Sequence, residues 1–225
     1  MATIYVINPN STQAVTDAID EALDPLRASD GPEIACVTLA EGPPGIESQR
    51  DVDGVVVPLL ERAAALENAA AAFVIACFSD PGLHALREQS ARPVLGIAEC
   101  GVLTALTIAP RFGVLAILPG SIARHRRYFA AMGVTDRLAG EIAIDVGVVE
   151  LADERRTFAR LADCGTALRD GYGADVVVMG CAGMARYRAA LEDRLAIPVV
   201  EPTQAAVTMA IGRVRLGGTA KRFGM

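Results

Sequence analysis

The sequence predicts an α/β protein made of two similar parallel-sheet lobes, with its active site in the cleft between them. Short apolar, β-rich runs alternate with longer helix-compatible stretches, and the order of these signals in the first half of the chain recurs in the second. Of the 225 residues 52% are hydrophobic but only 4% aromatic, which suits parallel strands buried on both faces and sheathed in Ala-rich helices. At this length the chain lies between one large α/β domain and two small ones, and the internal repetition favours two.

The strand candidates are residues 4–7, 34–39, 73–77, 94–97, 113–118, 142–148, 176–179 and 198–200. Between them lie helix starts with recognisable caps: Asn10-Ser11-Thr12, Asp80-Pro81 with proline at the first helical position, and Pro119-Gly120-Ser121. Each follows a strand, at the carboxyl edge where α/β sheets bind their ligands.

The repeat is specific in its residues. Ile7-Asn8-Pro9-Asn10-Ser11 answers to Ile117-Leu118-Pro119-Gly120-Ser121, Val74-Ile75-Ala76-Cys77 to Val177-Val178-Met179-Gly180-Cys181, and Arg92-Pro93-Val94-Leu95-Gly96 to Ile197-Pro198-Val199-Val200-Glu201. Pro9 and Cys77 are 68 positions apart and Pro119 and Cys181 are 62 apart, while each cysteine precedes its matching proline by 16 and 17 positions. The division expected is residues 1–100 with 203–225 for the first lobe and 101–202 for the second, joined around residues 99–106.

Composition excludes several classes of function. Net charge is −6 with a pI near 5.0, and the basic residues are scattered apart from short groupings such as Arg124-His125-Arg126-Arg127, so no nucleic-acid partner is expected. No apolar stretch approaches the ~20 residues of a membrane span and no leader precedes the first strand, which makes the expected location cytoplasmic, away from membranes. Assembly as a homo-oligomer is left open. Five cysteines without C-x-x-C spacing point to free thiols rather than disulfides or a zinc site. His84 and His125 are far apart in helical contexts and are expected on solvated surface. There is no G-x-S-x-G, Walker A loop or dinucleotide fingerprint.

The remaining chemistry converges on Cys77 and Cys181. Each ends an apolar strand and precedes a turn into a helix, where exposed backbone N–H groups and the helix dipole are expected to lower a thiol pKa from its free value of ~8.5. Two matched acid/base groups on opposite walls of a cleft suit the removal of a proton from one face of a carbon and its return to the other. The carbon must lie beside a carbonyl, whose oxygen needs donors when an enolate forms. The candidates are the backbone amides after each cysteine, at Ser79 and at Ala182 and Gly183, with the Asn10 side chain and the Ser79 and Ser121 hydroxyls. Asp80 joins the substrate-binding set; Asn10, Ser121 and Asp80 equally fit helix capping.

Together Ile7-Asn8-Pro9-Asn10-Ser11-Thr12, Ala76-Cys77-Phe78-Ser79-Asp80-Pro81-Gly82-Leu83 and Gly180-Cys181-Ala182-Gly183-Met184 resemble the hydantoin racemases of the aspartate/glutamate racemase superfamily. The resemblance spans nearly the whole chain. It implies two lobes with pseudo-twofold symmetry, a thiol/thiolate pair at Cys77 and Cys181, a final helix that crosses back to the first lobe, a small-molecule substrate, and no metal, pyridoxal phosphate or other cofactor. Phe78-Ser79 stands where glutamate racemases carry Asn-Thr, and Ala182-Gly183 where they carry Thr-His. These departures point from an amino acid towards a less charged cyclic substrate, a 5-substituted hydantoin or the ureido-hydantoin allantoin. Alternatives are a maleate-type cis–trans isomerase using one cysteine as nucleophile and, outside enzymes, a two-lobed small-molecule binding module.

Overall fold

The computed structural model describes residues 2–217. The first half runs β1 (Thr3–Asn8), α1 (Gln13–Ala22), β2 (Glu33–Thr38), α2 (Gln49–Gly54), α3 (Val56–Leu66), β3 (Ala70–Ile75), α4 (Leu83–Gln89), β4 (Val94–Gly96) and α5 (Ile97–Ile108). The second runs β5 (Phe112–Ala116), α6 (Pro119–Ala131), β6 (Leu138–Ala143), α7 (Glu154–Tyr172), β7 (Val176–Met179), α8 (Arg188–Leu195), β8 (Val199–Val200) and α9 (Pro202–Arg215). The strands form two four-stranded sheets of matching order, β2-β1-β3-β4 and β6-β5-β7-β8, with every pairing parallel. The fold is α/β with two lobes of the same topology.

The central strands β3, β5 and β7 are buried almost throughout, as expected of runs without polar alternation. Helices supply the covering layers. The junction expected around residues 99–106 lies inside α5, so a continuous helix passes between the lobes; it packs along α9 and reaches β4, β7 and β8. Gly101 permits that approach, since a Cβ there would meet the Pro202 ring at 2.9 Å. Helix α9 lies against β1, β3 and β4 of the first sheet. The end of the tail assigned to the first lobe, residues 218–225, falls outside the described residues.

One strand shifts from its sequence reading. The run at 142–148 is only partly strand: β6 ends at Ala143, and Asp145 takes a left-handed φ of 55° that turns the chain off the sheet. The buried Ile144, Val146 and Val148 continue as an extended segment tied to the end of β5 by Ile144 N to Ala116 O and Val146 N to Ile117 O, and Val148 reaches the cleft. Their hydrophobicity reflects burial in the core, with Val148 packed against Gly45 of the first lobe, rather than sheet membership.

Candidate active site

Both lobes build the same turn after their third strand in chain order. Ala76 N donates to Ile7 O on β1 and Gly180 N to Leu115 O on β5, which places Cys77 and Cys181 just beyond the carboxyl edges of their sheets. Each cysteine carbonyl then accepts from the residue three positions on, Asp80 at 2.9 Å and Met184 at 3.2 Å. The amide two positions on, Ser79 or Gly183, points at the thiol sulfur. One inter-lobe cavity is lined by both cysteines together with Asn10, Ser79, Ser121, Ala182 and Gly183. Its free space is about 30 Å³, the room of about one water molecule. Ser79, Arg124 and His125 also border an adjoining groove of about 450 Å³.

The thiols are not acidified. Burial pushes Cys77 up to about 12 and Cys181 up to about 11, outweighing the amide at each sulfur. The expected helix-dipole effect is weak because α4 begins only at Leu83 and the segment after Cys181 is a 3-10 turn, Ala182–Tyr187, rather than an α-helix. Arg124 is the cation facing Cys77, while Glu201 and Glu47 face Cys181 and hold it protonated.

The structure assigns the candidate binding residues different tasks. Asn10 Oδ1 accepts from Asn8 Nδ2 and from Thr12 N, each at 3.0 Å, so its orientation is set and its Nδ2 is the part of the amide left for a ligand. Ser121 Oγ donates to Leu118 O at 2.7 Å and can offer a ligand only lone pairs. The Ser79 hydroxyl makes no hydrogen bond among the described residues and stays available at the cavity wall.

Asp80 does not line the cysteine cavity. Its carboxylate turns to the start of α5, where Ala98 N donates to Oδ1 at 3.0 Å and Glu99 N to Oδ2 at 2.9 Å, with Tyr128 Oη donating at 2.8 Å. Asp80 therefore caps a helix beginning 17 residues later, not the helix that follows it, whose N-cap is Gly82. Its left-handed φ of 42° provides the turn that aims it there. Burial raises its pKa to about 6 against the lowering effect of the two amides.

His125, expected on solvated surface, lies with Arg124 in the cavity wall. Arg124 and His125 are only 9% and 3% exposed. They belong to the inward face of α6, with Ser121, Tyr128 and Phe129 at the spacing i, i+3, i+4, i+7, i+8, a phase that marks them as buried despite their polarity. His125 packs edge-on against Phe78 with ring centroids 5.2 Å apart, and its Nδ1 lies 2.5 Å from Glu141 Oε1 on β6. His84, by contrast, is exposed. Among the described residues no group of three or more His, Cys, Asp or Glu side chains is placed to hold a metal ion, and no helix is long and apolar enough to cross a membrane.

Comparison with known proteins places this architecture among two-lobed racemases. The allantoin racemase from Klebsiella pneumoniae superposes with a TM-score of 0.91 at 34% identity, covering 100% of this chain and 92% of that one. The allantoin racemase from Pseudomonas fluorescens gives 0.91 at 27% identity over 98% of this chain and 94% of its own. In sequence, the hydantoin racemase of Paenarthrobacter aurescens is 35% identical over 217 residues, 95% of this chain and 92% of that protein. The family model described as Asp/Glu/Hydantoin racemase matches residues 4–210. The chain belongs to the Asp/Glu/hydantoin racemase family and is an isomerase of the racemase type.

Proposed function

We propose that this racemase inverts the C5 stereocentre of 5-substituted hydantoins without a cofactor or metal, using Cys77 and Cys181 as a two-base pair. The observation that carries the reading is the placement of the two cysteines: equivalent turns of equivalent lobes bring both to one cavity. One thiolate takes the C5 proton and the opposite thiol returns one to the other face, the roles exchanging with direction. The hydantoin racemase and allantoin racemase relatives support a cyclic ureide.

The cavity is closed around less space than such a ring needs, so substrate enters as the walls between it and the adjoining groove part. With both thiols raised by burial, the carbon must be acidified by donors at the neighbouring carbonyl, and the lining residues Asn10 and Ser79 support an amide and a hydroxyl in that role. Gln49, His84 and Arg127 in the groove can meet a polar substituent, which keeps allantoin as the second substrate reading.

Polarimetry on single enantiomers of 5-substituted hydantoins, allantoin, aspartate and glutamate, run with excess chelator, tests the proposal. Loss of rotation for the cyclic ureides alone is the result expected. Turnover of the amino acids alone would overturn the substrate class, and activity abolished by chelator and restored by a divalent ion would overturn the metal-free mechanism.

A further inference from the structure

We propose that His125, held from behind by Glu141, is a catalytic residue that grips the substrate carbonyl oxygen beside the exchanging carbon and serves both cysteines alike. The inference rests on the two-base reading above and adds the group that carries the developing enolate charge. Several donors anticipated for that oxygen are otherwise engaged: the Ser79 and Gly183 amides face the two sulfurs, and the Ser121 hydroxyl donates to Leu118. His125 lies on the same cavity wall. Its Nδ1 is engaged by Glu141 at 2.5 Å, whereas its Nε2 has no hydrogen-bond partner among the described residues.

Glu141 shows that the arrangement is built. Its side chain is fully buried, its Oε2 has no hydrogen-bond partner, and His125 is its hydrogen-bonded companion. A carboxylate placed this way raises the free energy of the folded protein unless a cation answers it, and an apolar pair would bridge α6 and β6 at lower cost. Behind an imidazole, however, it fixes the ring and its Nδ1 proton. With Nδ1 turned to Glu141, a proton on Nε2 makes an N–H donor on the opposite side of the ring. As C5 loses its proton to one thiolate, the electron pair moves onto the carbonyl oxygen and the Nε2–H···O hydrogen bond strengthens; when the opposite thiol reprotonates C5, the pair returns to carbon and Nε2 keeps its proton throughout. Because this oxygen belongs to both half-reactions, the contribution is the same for each enantiomer.

That symmetry is the test. In His125→Gln, kcat and solvent hydrogen–deuterium exchange should fall for both enantiomers by a similar factor of about 10²–10³, with KM moved less than about threefold. Glu141→Gln, a positioning change, should fall part of the way with the same symmetry. Deuterium exchange lost for one enantiomer and kept for the other would show that His125 acts on a single cysteine, and a kcat within about threefold of the parent would show a structural role; either result overturns the proposal. A measurement independent of turnover uses the fact that the chain has two histidines. In ¹⁵N-histidine spectra, added 5-substituted hydantoin should shift the His125 Nε2 signal, and no shift up to the solubility limit would overturn the proposal. Failure of the parent to racemise any cyclic ureide would instead sink the substrate reading.

Discussion

The two lobes repeat their backbone but not the chain positions that supply their charges. Behind Cys181, Glu201 follows β8 and caps α9, accepting from Thr203 N at 3.0 Å and Gln204 N at 2.6 Å. The equivalent position in the first lobe is Gly96, and the amides of Ala98 and Glu99, at the same offsets of two and three, are capped by Asp80 from the turn after Cys77. A Cβ on Gly96 would lie 2.2 Å from the Asp80 carboxyl carbon. The carboxylate group has thus kept its place in space while its attachment moved from the strand end to the cysteine turn, where the second lobe carries the buried Met184. What the comparison teaches is that a buried carboxylate at a helix start is retained beside each thiol, whichever residue delivers it. The cations are not repeated: Arg124 faces Cys77, and carboxylates alone are the charged groups facing Cys181.

The largest effect should come from the feature the lobes share most fully. Replacing Cys77 or Cys181 singly by Ser should reduce racemisation by about 10²–10⁴-fold or more, because a hydroxyl is too weak an acid to supply the base, and the two losses should be comparable. A variant retaining a tenth of parental kcat would remove that cysteine from the mechanism.

Moving the carboxylate should sharpen the comparison. Asp80→Ala leaves two helix amides and the Tyr128 hydroxyl without their acceptor and should cost about 2–3 kcal/mol in urea unfolding. Gly96→Glu alone should also destabilise, since the new side chain collides with Asp80. The double variant should recover at least half of the Asp80→Ala loss, because Gly96 has ordinary extended dihedrals and its obstacle has been removed. Additive losses would mean that the two lobes do not use interchangeable caps.

The pH dependence is smaller. Burial raises Asp80 from 3.8 to about 6 and Glu201 from 4.5 to about 7, despite the amides that favour the ionised form. A carboxyl with a raised folded-state pKa binds its proton more tightly when folded, so its contribution is full at low pH and is lost as pH rises through about 6 and about 7. Stability should therefore fall between about pH 4 and 7, with Glu201 accounting for about 3 kcal/mol. Glu201→Gln should flatten that slope, and an unchanged slope would contradict the assignment.

Much of this organisation was legible in the chain because the fold repeats itself. Matched prolines and cysteines marked equivalent strand ends, and the buried parallel strands announced themselves as apolar runs. Features determined by distant contacts were not legible. Asp80 reads locally as the cap of the helix at Pro81, and only the folded turn sends it to α5. Thiol acidity was inferred from the adjacent helix starts, whereas the cavity walls dominate through desolvation. His125 was expected on solvated surface, although its helical phase with Ser121, Arg124 and Phe129 marks the buried face.

The central claim, that each cysteine serves one face of the substrate carbon, is tested most directly by NMR of the pure D- and L-forms of a 5-substituted hydantoin in heavy water with each single Cys→Ser variant. The remaining thiolate can abstract a proton from the enantiomer presented to it and return a deuteron to the same face. Each variant should therefore exchange one enantiomer only, above the uncatalysed rate, and the two variants should choose opposite enantiomers. Equal exchange of both enantiomers by either variant would mean that one base reaches both faces, and the two-thiol mechanism would have to be abandoned even with the family assignment intact.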